Sequence, residues 1–420
     1  MSSPAPTTPA VASGPSRRNV TAMLTGHGGR AVLQGLYFLV VARALGAEGF
    51  GVLSAVLALV ALVLPFASLG AVHLMIRAVV RDPGSAAGNF ASAAWVTGVG
   101  GAAATAVVTA LAAVVLDTEL PLAVIAALAV ADLVGSLLAE VAAGVYTATE
   151  RMRRTAAVQL SFTALRLLGA LALLASPTAF TLGAWAWTYA AASLLGAAAL
   201  LVAVRRDVGP APARPLAYVR QWRDGVQFSI GLAAQAVYND VDKVALERFA
   251  GAGATGAYTA AYRVVDMAFT PARAVLAAAY PRFFAAGAEG LPGALGVARR
   301  LAAPGVAFGL VAAAALALGA PLLPVLLGPS YAGSVDVLRA LAVLPLLKVV
   351  HYLAADALTG AGHQGVRSAW QVGVAGVNVV LCLLLVPGLG VAGAVVASLA
   401  CDGLLAVGLW AVVLRRRRAG

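Results

Sequence analysis

The chain has 420 residues, of which 61% are hydrophobic and only 11% are charged, with a mean hydropathy of +0.92. This composition exceeds what the surface of a water-soluble protein tolerates, so it excludes a soluble enzyme or binding domain. The net charge of +12 would fit nucleic acid as a partner. Most of the arginines, however, lie in alternate connecting segments, so membrane topology explains most of this charge.

Long apolar stretches predict an all-α, polytopic membrane protein. Crossing about 30 Å of hydrocarbon takes about 20 apolar residues as helix. Residues 1–19, rich in Ser, Thr, Pro and Ala, are predicted to be a disordered cytoplasmic tail and not a signal peptide. Twelve spans follow, at 20–43, 50–76, 88–115, 121–147, 155–175, 179–204, 222–247, 255–281, 301–327, 334–358, 367–386 and 391–414.

The two halves of the chain repeat each other. Four residues of the first half, Arg43, Gly46, Gly51 and Arg77, recur 205 positions later as Arg248, Gly251, Gly256 and Arg282. A duplicated membrane bundle is typical of transporters. We therefore predict an N-terminal lobe at 20–204, a cytoplasmic linker at 205–221, a C-terminal lobe at 222–414 and a basic cytoplasmic tail at 415–420. The four repeated arginines lie at hairpin ends, where they are expected to fix loops and gates.

Arginine placement predicts the orientation. Alternate connecting segments hold 20 of the 29 basic residues, and cytoplasmic loops are the ones that retain Lys and Arg during insertion. Both termini are therefore expected in the cytoplasm. The preference for Arg over Lys and the richness in Ala and Gly suggest a GC-rich bacterial genome, which indicates a bacterial inner (plasma) membrane protein.

No motif in the sequence predicts an enzyme. A GxxxxGK[ST] phosphate loop is absent, the four histidines show no ligand spacing, and Cys382 and Cys401 stand singly in apolar stretches. We expect no metal, no cofactor and no nucleic-acid partner. The external segments are too short for the catalytic loop of a polytopic glycosyltransferase or polysaccharide polymerase, so transport is favoured over synthesis.

Three segments, at 41–82, 237–283 and 386–400, resemble Wzx-type oligosaccharide flippases. They are similar to the first helical hairpin, the seventh and eighth helices, and the join between the last two helices of that family. Wzx-type flippases belong to the polysaccharide transporter branch of the multidrug/oligosaccharidyl-lipid/polysaccharide exporter superfamily. The resemblance implies a monomer whose two lobes enclose a central cavity and move a polyprenyl-pyrophosphate-linked oligosaccharide by alternating access. Membrane lipids and the glycosyltransferases or polymerase of the same pathway would be its partners.

Charged residues within the predicted spans are the candidate site residues. A charge facing lipid costs roughly 2.5–3.5 kcal/mol on insertion scales, so these side chains should face protein or water. The candidate cavity cations are Arg30, Arg263, Lys348, Arg166 and Arg273, with Lys243 as a sixth cation near a helix end. Pairing within a helix is the competing interpretation for Lys243 with Asp240 and for Arg263 with Asp266. Asp132, Glu140, Asp266 and Asp356 are candidates for coupling to a driving ion.

Three other functions remain open from the sequence. A drug or cation antiporter of the multidrug exporter branch has the same architecture, but its cavity should be acidic or aromatic. A lipid II-type peptidoglycan precursor flippase has closely related cargo, although that branch commonly carries two further helices. A scaffold that assembles polysaccharide enzymes would not transport at all.

Overall fold

The computed structural model describes residues 17–419 and shows an all-helical bundle over that range. The N-terminal half contains α1 (Arg17–Ala67), α2 (Ala71–Arg81), α3 (Ala86–Val115), α4 (Leu122–Val130), α5 (Leu137–Ala148), α6 (Met152–Ala175), α7 (Leu182–Val208) and the short α8 (Pro215–Val219). The C-terminal half contains α9 (Trp222–Ala250), α10 (Ala252–Gly287), α11 (Leu291–Gly319), α12 (Leu322–Leu327), α13 (Ser334–Leu341), α14 (Leu344–Gly360), α15 (Gln364–Leu389) and α16 (Val391–Ala419).

These helices make twelve passes, which confirms the predicted fold class. Nine stretches of the described chain are long and apolar enough to cross a membrane. One of them, Gly29–Ala67, contains two passes separated by a sharp break at Gly46. The remaining two passes are α9 and α10, whose charged residues lower their hydropathy. Because the number of passes is even, α1 begins and α16 ends on one side, which we call the terminal face. The other side is the opposite face.

The internal repeat has a direct structural counterpart at two helix breaks. Gly46 has φ 66° and ψ 177°, and Gly251 has φ 86° and ψ 167°. A positive φ with an extended ψ is accessible essentially to glycine alone. The chain therefore reverses direction in the same way between the first and second segments of α1 and between α9 and α10.

Packing of equivalent helices follows the same repeat. The first segment of α1 packs against α6, where a Cβ at Gly29 would lie 3.2 Å from Leu160, as α9 packs against α15 in the other half. The two halves meet where α1 contacts α9 and α10. Large apolar side chains such as Val114, Leu318 and Val407 project outward and are 81%, 82% and 72% exposed, as expected of a surface in contact with lipid.

The predicted bounds of one membrane span were wrong, and helices extend into the predicted linker and tails. The ninth span was placed at 301–327, but α11 begins at Leu291 and ends at Gly319, and α12 is a separate helix. Arg299 and Arg300 are therefore helical rather than in a loop, because a helix satisfies its own backbone hydrogen bonds beyond the hydrocarbon as well. The predicted basic tail at 415–420 continues α16 as far as Ala419, and the predicted linker at 205–221 includes the end of α7 and all of α8. Of the predicted tail at 1–19, residues 17–19 belong to α1 and residues 1–16 lie outside the described part.

Candidate functional site

A cavity of ≈ 870 Å³ lies between the two halves, at the level of the apolar helices. All six basic residues that were singled out within the predicted spans line it. Four carboxylates line it as well, so the formal charge of the lining is +2. The lining cations are Arg30, Arg166, Lys243, Arg263, Arg273 and Lys348, and the lining acids are Asp132, Glu140, Asp240 and Asp266.

Arg166 is held by a dense set of partners in the N-terminal half. Its guanidinium donates to Asp132 Oδ1 at 2.9 Å, to Ser136 Oγ at 2.8 Å and to Ser193 Oγ at 3.0 Å. It also donates to the carbonyl of Ala131 at 3.2 Å. This arrangement depends on a π-helical turn at Ala131–Ser136, which separates α4 from α5 and carries three of these acceptors. Arg166 is therefore an internally satisfied cation.

Lys243 is paired within its own helix, as the competing interpretation predicted. Its ammonium lies 2.8 Å from Asp240 and 3.6 Å from Asp242. Asp242 is only 1% exposed and accepts a 2.5 Å hydrogen bond from Tyr258, whose hydroxyl also meets Ser398 at 2.7 Å. Two carboxylates therefore neutralise Lys243.

Lys348 belongs to a cluster that the sequence analysis missed. Asp402, behind the cavity wall and 1% exposed, lies 3.1 Å from His351 Nε2 and 4.0 Å from the Lys348 ammonium. The ammonium also donates to the Tyr262 hydroxyl at 3.4 Å. His351 and Asp402 stand out in the sequence only as polar residues within apolar spans, and nothing in their spacing brings them together.

Arg30, Arg263 and Arg273 have no carboxylate within 4 Å among the described residues. Arg30 has a buried Nε without a hydrogen-bond partner in that part of the chain. Arg273 lies 5.4 Å from the ring of Phe269, and Arg263 does not form the predicted pair with Asp266. These three guanidiniums therefore keep donors available to a ligand in the cavity.

The free guanidiniums lie at two depths. Arg263 and Arg273 both line the cavity and are ten residues apart on α10, which corresponds to about 15 Å along the helix axis. A Cβ at Gly35 would lie 3.1 Å from the methyl group of Met267, which sets the level at which α1 and α10 face each other. Arg30 and Arg273 both lie on the terminal-face side of that level. Arg263 lies on the other side of it, deeper in the bundle.

The candidate coupling acids lie in different environments. Asp132, Glu140 and Asp266 line the cavity, whereas Asp356 is absent from its lining. Asp356 is 4% exposed and accepts a 3.0 Å hydrogen bond from Arg367, which also reaches Thr359 at 3.1 Å. Asp356 thus has a fixed counter-ion away from the cavity.

On the opposite face the two halves are joined by hydrogen bonds, and two of the repeated arginines take part. Arg43 donates to the carbonyl of Leu326 at 2.6 Å, and Arg248 lies 3.7 Å from Asp117. Tyr331 donates to the carbonyl of Ala42 at 2.7 Å. Burial raises the pKa of Tyr331, so its hydroxyl stays protonated and remains a donor.

Further contacts close the same face. The amide of Ala47 donates to Ser330 Oγ at 3.2 Å, and the amide of Asp117 donates to Glu247 at 3.0 Å. We call this set of contacts, together with the adjoining helix crossing of α1 and α10, the opposite-face gate. The other two repeated arginines lie elsewhere: Arg77 donates to Gln221 at 3.1 Å and Arg282 is exposed near the end of α10.

Comparison with known proteins places the chain in a family. A family model described as polysaccharide biosynthesis protein matches residues 16–286. The chain belongs to the polysaccharide biosynthesis protein family. The predicted resemblance to the polysaccharide transporter branch is thereby confirmed. No curated protein matches the chain.

Solved structures with the same fold are transporters of the MOP superfamily. An inward-facing multidrug resistance MATE family transporter is similar with a TM-score of 0.70 and 15% identity, over 92% of this chain and 96% of that one. The outward-facing conformation of such a transporter gives 0.60 at 16% identity, over 96% of each chain. A MOP superfamily transporter from Pyrococcus furiosus, described as having a binding pocket of reverse polarity, gives 0.60 at 16% identity over 96% of each chain.

Proposed function

We propose that this protein is a secondary transporter that flips a polyprenyl-pyrophosphate-linked oligosaccharide from the inner to the outer leaflet, for the synthesis of cell-surface polysaccharide. The observation that carries the proposal is the set of three guanidiniums, Arg30, Arg263 and Arg273, which face the cavity without a carboxylate within 4 Å in the described chain. The polysaccharide biosynthesis family supports the cargo class, and the shared fold supports alternating access by two lobes.

An anionic head group fits this charge arrangement. A diphosphate loses water when it enters the bundle, and charge-assisted hydrogen bonds from guanidinium offset that loss. Arg166, Lys243 and Lys348 already have carboxylate partners, so they set the shape and field of the cavity. The exposed Arg263 and Arg273 and the partly buried Arg30 are the groups that bind the phosphates. The polyprenyl tail stays in lipid while the head group crosses.

The two depths of the free guanidiniums suggest an order of binding. With the terminal face in the cytoplasm, as the arginine-rich segments on that side predict, Arg30 and Arg273 meet the diphosphate first. Arg263 then holds it deeper, near the level where the lobes exchange access. The proposal includes a location in the plasma membrane of a bacterium, with the cargo loaded from the cytoplasmic side.

Binding of a short lipid diphosphate tests the proposal. The purified protein in lipid nanodiscs is titrated with farnesyl pyrophosphate, with farnesol as the uncharged analogue and tetraphenylphosphonium as a lipophilic cation. We expect saturable binding of the diphosphate alone. Each of Arg30→Gln, Arg263→Gln and Arg273→Gln should weaken it by about 10- to 150-fold, the equivalent of one charged hydrogen bond of about 1.5–3 kcal/mol.

Arg339→Gln is the matched control, because Arg339 is exposed, lies outside the cavity and pairs only loosely with Asp336 at 3.7 Å. Binding of tetraphenylphosphonium without binding of the diphosphate would refute the proposal and favour a cation antiporter. Flipping of a peptidoglycan precursor in proteoliposomes, without flipping of polyprenyl-linked oligosaccharide, would instead identify a lipid II-type flippase. Diphosphate binding without movement between leaflets would leave a scaffold role.

A further inference from the structure

The close crossing of α1 and α10 on the opposite face is formed by two glycines related by the internal repeat. A Cβ at Gly51 would overlap the carbonyl oxygen of Ala252 and lie 2.8 Å from the amide nitrogen of Gly256. A Cβ at Gly256 would overlap the carbonyl oxygen of Ala47 and lie 3.1 Å from its Cα. Each glycine therefore receives the backbone of the other helix, where no side chain fits.

This crossing differs from the other tight glycine contacts of the bundle in what it joins. Gly101 lies against the carbonyl of Leu133, and Gly287 lies against that of Gly360, each pair within one half of the chain. Those contacts keep helices of one half together. Gly51 and Gly256 instead join the N-terminal half to the C-terminal half, beside the polar contacts of the opposite-face gate.

We propose that Gly51 and Gly256 are the closing contact of the opposite-face gate, and that a methyl group at either position holds the cavity open toward that face. The gate is reciprocal: Arg43 of the first half reaches a carbonyl of the second, and Arg248 of the second half pairs with Asp117 of the first. Duplication of one half thus supplied both sides of the contact. Backbone overlap must be relieved by separating the helices, because a carbonyl cannot rotate away as a flexible side chain does.

The inference rests on the proposed alternating access, but its test measures conformation in the absence of cargo. Ser54 lines the cavity within one helical turn of Gly51 and is replaced by Cys as a reporter. The native Cys382 and Cys401 are 0% exposed and are replaced by Ala to remove background. A membrane-impermeant maleimide is applied from outside to intact cells and, separately, to inverted vesicles.

Gly51→Ala and Gly256→Ala should each raise the rate of labelling of the reporter from the opposite face, by roughly 5- to 150-fold, and lower it from the terminal face. This range corresponds to the 1–3 kcal/mol that overpacking costs. Gly98→Ala and Gly376→Ala are matched controls, because a Cβ at these helical positions meets nothing within 4 Å. They should label as the parent does.

Gly101→Ala separates this role from ordinary packing. It should lower thermal stability without favouring either face, whereas the two gate variants should fold and change accessibility. If both gate variants failed to fold, Tyr331→Phe combined with Ser330→Ala would test the gate instead. That combination removes two of its hydrogen bonds and should shift labelling in the same direction. Folded gate variants with parental labelling from both faces would overturn the inference, as would parental labelling of the Tyr331→Phe and Ser330→Ala combination. A failure of diphosphate binding would leave it standing.

Discussion

Arg166 offers a way to separate a structural cation from a cargo-binding cation in the same cavity. Its guanidinium has one carboxylate, two hydroxyls and one carbonyl as acceptors, and it lies 4.5 Å and 4.4 Å from the rings of Phe162 and Tyr189. The side chains of Arg166 and Asp132 are 16% and 17% exposed. Removing one partner of such a buried pair costs about 3–5 kcal/mol, because the other charge is left without compensation.

We therefore expect Arg166→Gln and Asp132→Asn each to lower the free energy of unfolding by about 3–5 kcal/mol. The double variant should lose less than the sum of the two, with a coupling energy of about 0.5–3 kcal/mol. Thermal unfolding in detergent, followed by tryptophan fluorescence, measures the effect. Trp185 is a suitable reporter, since its ring lies 5.4 Å from that of Tyr189.

Arg263→Gln is the comparison, since Arg263 lacks such partners in the described structure. It should unfold at the parental temperature while binding farnesyl pyrophosphate more weakly. The reasoning would be refuted if Arg166→Gln unfolded at the parental temperature but lost diphosphate binding. Arg166 would then be a binding group, and its contacts would exchange readily for those of a ligand.

Two further predictions concern the carboxylates. Arg367→Gln leaves the buried Asp356 without its counter-ion and should lower the free energy of unfolding by about 3–5 kcal/mol, and Asp356→Asn in the same chain should restore part of the loss in a melting experiment. Glu140→Gln should reduce the dependence of flipping in proteoliposomes on an imposed proton or sodium gradient, because Glu140 lines the cavity without an ion pair in the described chain. Unchanged gradient dependence would remove Glu140 from the coupling candidates.

Most of the fold follows from the sequence because hydrocarbon imposes a strong constraint on backbone. Eleven of the twelve predicted spans overlap the observed helices with small shifts, since each apolar stretch must be helical to satisfy its own hydrogen bonds. The ninth span failed because Ala, Leu and Val continue from α11 into α12, and only the turn beside Pro321 separates them. The break at 68–70 and the π-helical turn at Ala131–Ser136 do not interrupt the apolar pattern of the sequence either.

The cations that line the candidate site could be predicted from the sequence, but their ion-pair partners could not. A charge within an apolar span must face protein or water, so the six cavity cations could be selected from position alone. Which of them are free depends on contacts between distant parts of the chain. Arg166 meets Asp132 across 34 positions, and Lys348 approaches Asp402 from a different helix. Only the pair of Lys243 with Asp240 could be predicted from the sequence, because the two residues are three positions apart on one helix.

Pro271 gives α10 a mechanical property that a continuous helix of 36 residues would lack. A proline inside a helix has no amide hydrogen, so one rung of the i to i−4 ladder is missing at this level. The rung lies between the portion that carries Gly256 and Arg263 and the portion that carries Arg273. Bending is easiest at such a joint. The two ends of α10 can therefore tilt by different amounts. The helices around one end of the cavity can separate while the residues at its other end keep their contacts.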